Sequence, residues 1–355
     1  MLPAPALHST STRRGALFQH DKRRSHSFSS TVDYRATIRT FRGRSRLTNL
    51  GVLLLGSFSC LSFLYNLAFI FSSPSYTIHD THFGDVPPAS ILATIERDEA
   101  LTNLSHLIIV PGHAIWSGVT SEQAFDEDFW TLEDYQKGGG RISAFVDHIK
   151  QGVALALEDE SSLLVFSGGQ TRLLSTTTEG ESYMRLALSM NLFQNHASAS
   201  SGSLSPFPRA TTETFSLDSF QNLLFSLARF HEVTGKYPSQ ITVVGYEMKR
   251  RRFEELHREA LRFPAPHFHY IGLEPPLATK VELQTAREGE LMNGYKPYIA
   301  DVYGCHNFLL SKRRARNPSL RFHPYHASAP ELRGLLEWCP DDPTEIYQGR
   351  LPWDE

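Results

Sequence analysis

Four short polar segments hold most of the side chains in this sequence that could bind a ligand or transfer a proton. They are residues 111–113, 167–172, 213–222 and 245–252. Three of them directly follow a short apolar run, whereas residues 213–222 open a predicted helix. In a parallel α/β sheet, ligands bind beyond the carboxyl ends of the strands. We therefore expect the four segments to meet at one edge of a sheet.

The first segment reads Pro111-Gly112-His113. Gly112 would let the backbone approach a ligand closely, and His113 could transfer a proton or bind a phosphate group. An ordinary turn with an exposed histidine would account for the same residues. We predict Gly112 as ligand-binding and His113 as catalytic.

The second segment contains two consecutive glycines, Gly168 and Gly169. Their N–H groups could turn toward an anion, to which Arg172 would add further donors. A plain Gly-Gly turn is common and would look the same. The predicted ligand-binding residues of this segment are Ser167, Gly168, Gly169, Gln170 and Arg172.

The third segment groups polar side chains around the start of a helix. Ser216 could cap this helix, and Asn222 would lie within it. Glu213, like Glu181 in the preceding predicted helix, could position a hydroxyl group or a water, or act as a general base. Helix capping alone is the alternative. We predict Glu181 and Glu213 as catalytic, and Ser216 and Asn222 as ligand-binding.

The fourth segment places several basic residues after the apolar run 240–245. Cations at a helix N-terminus oppose the helix dipole, and a bound phosphate or carboxylate would offset that cost. The alternative is a solvated basic turn paired with Glu254 and Glu255. We predict Glu247 and Arg250 as ligand-binding and assign no cofactor.

The elements that would position these segments alternate between strands and helices. This alternation predicts a Rossmann-like, doubly wound parallel sheet with right-handed crossovers. A further strand is expected before residue 215, but residues 196–208 there read as an insertion rich in Ser, Ala and Pro. The predicted strands are 106–111, 162–167, 240–245 and 268–271, and the predicted helices are 142–157, 181–192, 215–232 and 249–261.

The C-terminal residues 276–355 read as a mostly helical extension packed on a Rossmann-like domain of residues 101–275. Helices are predicted at 282–290 and 298–316. The basic residues 312–316 are most simply a solvated helix end.

An uncharged stretch, residues 47–72, is the predicted transmembrane helix. Residues 50–71 would cross a hydrocarbon core of about 30 Å. Residues 1–46 form a basic tail, predicted to be disordered, with ten Arg or Lys and two acids. The positive flank predicts a cytosolic N-terminus and, beyond a linker at 73–100, a domain in the ER or Golgi lumen or outside the cell. A mitochondrial transit peptide with an inner-membrane anchor is the alternative.

The charge balance limits the choice of partners. The tail is net +8 and the whole chain is −3, so the remainder is −11. An acidic folded part argues against a nucleic-acid partner, because phosphate contacts need a basic face. The sequence has no HExxH, GxSxG or Walker motif, and we predict no metal site.

Two features bear on the compartment. Residues 103–105 (Asn-Leu-Ser) form the one glycosylation sequon with an allowed middle residue, since proline blocks residues 317–319. Cys305 and Cys339 could form a disulfide in an oxidising lumen, or they could be two ordinary buried thiols.

The order of the segments resembles the YdcF/SanA-like family, a bacterial domain of unknown function. In that family the second strand ends in Ser-Gly-Gly, an acidic residue opens the next helix, and a Glu-x-x-Ser motif leads to an Asn. The matching residues here are 167–169, Glu181 and 213–222, and the resemblance covers about residues 105–272. The insertions at 119–140 and 196–208 and the C-terminal tail are similar to those of fungal membrane-anchored members.

This chain departs from the family pattern at one position. Where members often carry a histidine three residues before an arginine, it has Glu247, with Arg250 retained. The resemblance implies a pocket lined by acidic and amide side chains and a role near membranes or envelopes. Nucleotide-type ligands, including S-adenosylmethionine, have been proposed for relatives.

Two functions follow as hypotheses. The first is a membrane-anchored enzyme or ligand-binding domain for a phosphate-bearing or nucleotide-like small molecule, in envelope or glycan-precursor metabolism. Trp116, Trp130 and Tyr135, on the loop after the first strand, could close over that ligand as a lid. The second is a non-catalytic membrane-anchored scaffold or interaction protein.

Overall fold

The computed structural model describes residues 46–72, 97–193 and 207–354. The chain divides after His79 into two units. The predictions for the basic tail and for the 196–208 insertion, and most of the linker prediction, lie outside the described residues.

The first unit contains one described helix, α1 (Arg46–Ser72), of 27 residues. Its section Leu50–Ala68 is apolar and solvent-exposed. Among the described residues, α1 is the one helix long and apolar enough to cross a membrane.

The second unit is built on a five-stranded parallel sheet, as the sequence predicts. Its strands are β1 (His106–Pro111), β4 (Ser162–Ser167), β5 (Ala210–Glu213), β6 (Gln240–Tyr246) and β7 (Phe268–Leu273), and β2 (Ile115–Trp116) and β3 (Trp130–Thr131) form a separate antiparallel pair. The strand order is β5-β4-β1-β6-β7, so the chain moves outward from β1 on one side and then returns to its other side. This order is Rossmann-like, and its reversal lies between β1 and β6.

Helices cover both faces of the sheet. On β1, Leu107 and Ile109 pack into one hydrophobic core, and Ile108 and Val110 into the other, because successive side chains of a strand point to opposite faces. The second core contains α2 (Arg141–Glu158) and α3 (Glu179–Ser189), and the first contains α4 (Ser219–Thr234) and the C-terminal region.

The strand expected before residue 215 is present as β5, a short edge strand of sequence Ala-Thr-Thr-Glu. Its composition carries little hydrophobic signal because only its last residue is fully buried. Helix α4 begins at Ser219 rather than at residue 215, since the carboxylate of Asp218 accepts a hydrogen bond from the N–H of Gln221 at 2.9 Å.

The predicted helix 249–261 is irregular. It begins with a 3-10 turn at Glu247–Lys249, continues as a π-helical segment at Arg252–His257 and ends in α5 (Arg258–Ala260). Irregular helices of this kind re-aim side chains and are frequent at functional sites.

The C-terminal region is helical, as predicted, and its buried hydrophobic residues belong to the first core. The predicted helix 298–316 is interrupted, because the carboxylate of Asp301 accepts hydrogen bonds from the N–H groups of Cys305 and His306. The helices are α6 (Lys280–Glu290), α7 (Lys296–Ala300), α8 (Asn307–Ala315), α9 (Tyr325–Ser328) and α10 (Arg333–Leu336), and a π-helical turn, Leu291–Tyr295, joins α6 to α7.

Cys305 and Cys339 form a disulfide, with their Cα atoms 6.0 Å apart. The disulfide closes a loop of 34 residues. It lies two residues before α8 and so ties the start of that helix to the end of the chain.

Candidate functional site

A cavity of about 820 Å³ lies beyond the carboxyl ends of β1 and β6, where the strand order reverses. Its volume is typical of a small-molecule site, and its place in the sheet is where such sites form in open α/β folds. One wall of the cavity consists of the loops after β1 and β4, the start of α4 and the segment after β6. Helices α6 and α8 form the other wall.

The structure brings some of the predicted site residues to this cavity and leaves the others away from it. Those that line the cavity are Gly112, His113, Arg172, Ser216, Asn222 and Glu247. Those that do not are Ser167, Gly168, Gly169, Gln170, Glu181, Glu213 and Arg250.

Glu213 lies behind the cavity wall and is fully buried. Its carboxylate accepts hydrogen bonds from the hydroxyl groups of Ser167 at 2.9 Å and Tyr325 at 3.0 Å. Further hydrogen bonds come from the N–H groups of Phe215 at 2.7 Å and Ser216 at 3.2 Å. Burial raises the pKa of Glu213, and these hydrogen bonds oppose that effect. A carboxylate with so many partners positions its neighbours and is not free to act as a base.

Ser167, Ser216 and Asn222 complete this hydrogen-bonded group. The side-chain Oδ1 of Asn222 accepts from Ser216 Oγ at 2.6 Å and from Ser167 Oγ at 3.0 Å. The motif residues of segments 167–172 and 213–222 therefore meet in space. Ser216 and Asn222 line the cavity, and their hydrogen bonds within this group hold them in place.

The two glycines after β4 have a different role from the predicted one. The N–H of Gly168 donates to the carbonyl of Glu213 at 3.0 Å, and that of Gly169 to the carbonyl of Ser216 at 2.7 Å. Neither N–H group is therefore available to an anion. A Cβ on Gly168 would lie 2.6 Å from the Cβ of Glu179, so glycine is needed there for close packing.

Glu179, two residues before the predicted Glu181, is the acid of α3 that lines the cavity. Glu181 is exposed, and its carboxylate accepts hydrogen bonds from the N–H and the hydroxyl of Thr178 in a capping box. Glu179 instead accepts from the hydroxyl of Thr171 at 2.5 Å. The Thr-x-x-Glu spacing at 178–181 could have identified the capping role from the sequence.

Arg172 lines the cavity, but acids already surround it. Its guanidinium lies 3.4 Å from Glu133 and 3.6 Å from Glu179. It also donates to the carbonyl of His113 at 3.1 Å. Because two carboxylates already balance the charge of Arg172, this side chain would contribute little binding free energy to an anionic ligand.

Arg250 does not reach the cavity. Its guanidinium donates to both oxygens of Glu247, at 2.8 and 2.7 Å, and to the carbonyl of Tyr270 at 2.6 Å. Arg250 therefore holds the segment after β6 against β7. Glu247 lines the cavity, but Arg250 occupies its carboxylate and lowers its pKa.

His113 packs in an aromatic group at the floor of the cavity, with its ring centroid 5.2 Å from that of Tyr246. Its Nδ1 lies 3.3 Å from Nζ of Lys249. A charged lysine can only donate, so His113 carries its proton on Nε2 when Lys249 is charged. That Nε2 is buried and has no hydrogen-bond partner among the described residues. Burial, and secondly the charge of Lys249, hold the pKa of His113 well below its usual value.

Lys249, Arg252, Lys312 and Arg316 form a group that we call the cation cluster. All four line the cavity. Burial first, and then the charge of Arg252, lower the pKa of Lys249 to about 7. Burial, followed by the charges of Arg316 and Arg252, also lowers the pKa of Lys312.

Only one member of the cation cluster has a carboxylate partner among the described residues. Arg252 lies 3.1 Å from Glu290. Lys312 donates to the carbonyl of Asn293 at 3.1 Å, and Arg316 to the carbonyl of Leu217 at 3.0 Å. The prediction that residues 312–316 are a solvated helix end is therefore wrong for Lys312 and Arg316.

The lid prediction is wrong for both tryptophans. Trp116 and Trp130 are 0% and 6% exposed and pack in the second core. Tyr135 is 67% exposed and lines the cavity, so it is the one member of the three that could contact a ligand from the loop.

The described residues contain one group with metal-ligand spacing, Cys305, His306 and Cys339. Its two sulfur atoms are bonded to each other in the disulfide. A disulfide sulfur is not the thiolate that binds a metal ion.

The fold and the cavity together define a Rossmann-like α/β protein with a ligand-sized cavity at the switch point of its sheet. The chain is 30% identical over 293 residues to "Uncharacterized protein YOR238W" of Saccharomyces cerevisiae (strain ATCC 204508 / S288c), a match that covers 70% of this chain and 96% of the yeast protein. The chain belongs to the family of that yeast protein. No family model and no solved structure matches the chain.

Proposed function

We propose that the cavity binds a phosphate-bearing small molecule and that the cation cluster holds the phosphate. The observation that carries this proposal is that Lys249, Lys312 and Arg316 line the cavity without a carboxylate partner among the described residues, while burial lowers the pKa of both lysines. Burying like charges together destabilises the folded protein unless an anion or hydrogen bonds compensate them. Strongly shifted pKa values in a cleft are typical of functional sites.

The charge balance favours a ligand group with more than one negative charge. Within reach of the cluster, Glu290 is matched by Arg252, Asp218 by Arg313 at 2.6 Å, and Glu179 by Arg172 at 3.6 Å. The remaining cations are Lys249, Lys312 and Arg316. A terminal phosphate offers about two negative charges and three acceptor oxygens at neutral pH.

The rest of the cavity suits the remainder of such a ligand. Phe145, Tyr246, Leu283 and Tyr298 supply apolar and aromatic surface, which would accommodate a ring such as that of a nucleotide-like molecule. Of the three residues predicted to be catalytic, His113 alone lines the cavity. If the protein has an enzymatic activity, His113 is the group that would exchange a proton with the ligand.

We also propose that α1 crosses a membrane, with the N-terminus cytosolic and the folded unit luminal or extracytoplasmic. The basic residues before the helix support this orientation. The disulfide supports an oxidising compartment. An anchor in the mitochondrial inner membrane remains the alternative.

We further propose that the family of the yeast protein is related to the YdcF/SanA-like family. The motif residues Ser167, Glu213, Ser216 and Asn222 support this relationship because they form one hydrogen-bonded group beside the cavity.

The test compares two arginines of the same helical segment in the full chain, purified in detergent. Arg316→Met removes a cation of the cluster, whereas Arg314→Met removes an exposed arginine outside the cavity. Loss of one charge-assisted contact costs roughly 1.5–3 kcal/mol, so inorganic phosphate and phosphate monoesters should bind about tenfold or more weakly to the first variant and unchanged to the second. Equal affinities of both variants, or no saturable binding by the parent chain, would favour the scaffold hypothesis.

A further inference from the structure

Asn103 lies in the turn between a short 3-10 helix, Glu99–Leu101, and the start of β1. The residue after it, Leu104, is buried, and the hydroxyl of Thr102 donates to the carbonyl of Glu99 at 2.7 Å. These contacts hold the turn in place from both sides of Asn103. The Asn103 side chain itself is exposed.

We propose that Asn103 carries an N-linked glycan. Three independent features support this modification site: the Asn-Leu-Ser sequon, the exposure of its asparagine on a turn, and the Cys305–Cys339 disulfide that an oxidising lumen would form. In the reaction, the Asn103 amide nitrogen loses a proton and bonds to the anomeric carbon of a lipid-diphosphate-linked oligosaccharide supplied by the host cell. The lipid diphosphate leaves with the bonding electron pair. The inference rests on the proposed luminal orientation and not on the proposed ligand.

The position of the site is compatible with ligand binding. Asn103 precedes the first residue of β1, whereas Pro111 at the other end of this strand lines the cavity. The five steps from His106 to Pro111, at about 3.3 Å each, separate the two ends of the strand by roughly 17 Å. A glycan on Asn103 would therefore cover the amino-terminal edge of the sheet and leave the cavity accessible.

The experiment expresses the full chain in eukaryotic cells and follows its electrophoretic mobility before and after digestion with a peptide N-glycosidase. We expect a shift of one glycan that disappears in Asn103→Gln and in Ser105→Ala. The matched variant Ser105→Thr should keep it, because threonine is also an accepted third residue. Sulfate binding to the cavity should be the same in Asn103→Gln as in the parent chain.

A second variant separates the two ways in which the inference could fail. Val119→Asn creates a second sequon, Asn-Thr-Ser at residues 119–121, at a side chain that is 81% exposed. If residue 119 is then modified while Asn103 is not, the domain is luminal and the Asn103 site is refuted. If neither position is modified, the site is refuted together with the luminal orientation, and the cavity proposal is unaffected.

Discussion

Replacing Lys249 by methionine should stabilise the ligand-free protein and at the same time weaken anion binding. The folded protein lowers the pKa of this lysine from 10.5 to about 7. At about 1.4 kcal/mol per pK unit, this shift sets an upper limit of roughly 5 kcal/mol on the cost of burying the charge. Relaxation and water entry reduce such costs, so we expect the free energy of unfolding to rise by about 1–3 kcal/mol in Lys249→Met.

The sign of the pH dependence follows from the same shift. Because the folded pKa lies below the unfolded one, the destabilisation is complete below about pH 7 and disappears as the pH rises toward 10.5. The gain in Lys249→Met should therefore be largest below pH 7 and smaller at pH 9. Anion binding by the parent chain should weaken over the same pH range, because it requires the charged lysine. Affinity should fall by up to about tenfold per pH unit above pH 7.

The assay measures urea unfolding and sulfate titration of the full chain between pH 6 and 9. Sulfate keeps two negative charges over this range, so any change in its affinity reports on the protein. The matched control is Lys236→Met, which removes an exposed lysine outside the cavity and should change neither quantity. A less stable Lys249→Met protein, or a sulfate affinity that does not change with pH in the parent chain, would refute the reasoning.

Three further predictions concern the support of the site. Gly180→Ala would place a Cβ 2.5 Å from the carbonyl oxygen of Phe166, so it should lower the free energy of unfolding by about 2 kcal/mol or more. The control is Gly289→Ala in α6, whose Cβ would meet no atom within 4 Å. In the same urea assay, this control should raise the free energy of unfolding by about 0.5–1 kcal/mol. Replacing both disulfide cysteines by serine should lower the free energy of unfolding by about 4 kcal/mol, because the disulfide closes a 34-residue loop. The double variant should also bind sulfate more weakly, since the disulfide holds the start of α8. If reductant does not change the urea midpoint of the parent chain, the disulfide is absent. Glu213→Gln points amide hydrogens at hydroxyl groups that already donate hydrogen bonds to this side chain. The free energy of unfolding should therefore fall by about 1–3 kcal/mol, while the sulfate affinity changes little. A fully stable variant that does not bind sulfate would contradict the supporting role of this residue.

The amino-acid sequence alone predicts the fold class, four of the five strands of the main sheet and the edge of that sheet at which polar residues meet. These features follow from local patterns, since a buried parallel strand needs a short apolar run and an amphipathic helix repeats every 3.6 residues. The exception was β5, because a four-residue edge strand with only its last residue fully buried carries no such pattern. The long apolar stretch that forms α1 was equally readable from composition.

The basic residues after β6 differ in orientation, and the packing of the folded chain determines which of them face the cavity. Lys249 and Arg252 do, whereas Arg250 between them turns to Glu247 and β7. Successive residues of a helical turn point about 100° apart, so a run of basic residues cannot show which of them faces inward.

The tertiary structure also brought Lys312 and Arg316 beside Lys249, more than sixty residues away along the chain. No local pattern encodes that meeting, because it depends on how α8 packs against the sheet through the shared hydrophobic core. Local periodicity determines elements. The charges that share a cavity are determined by the long-range packing that brings those elements together.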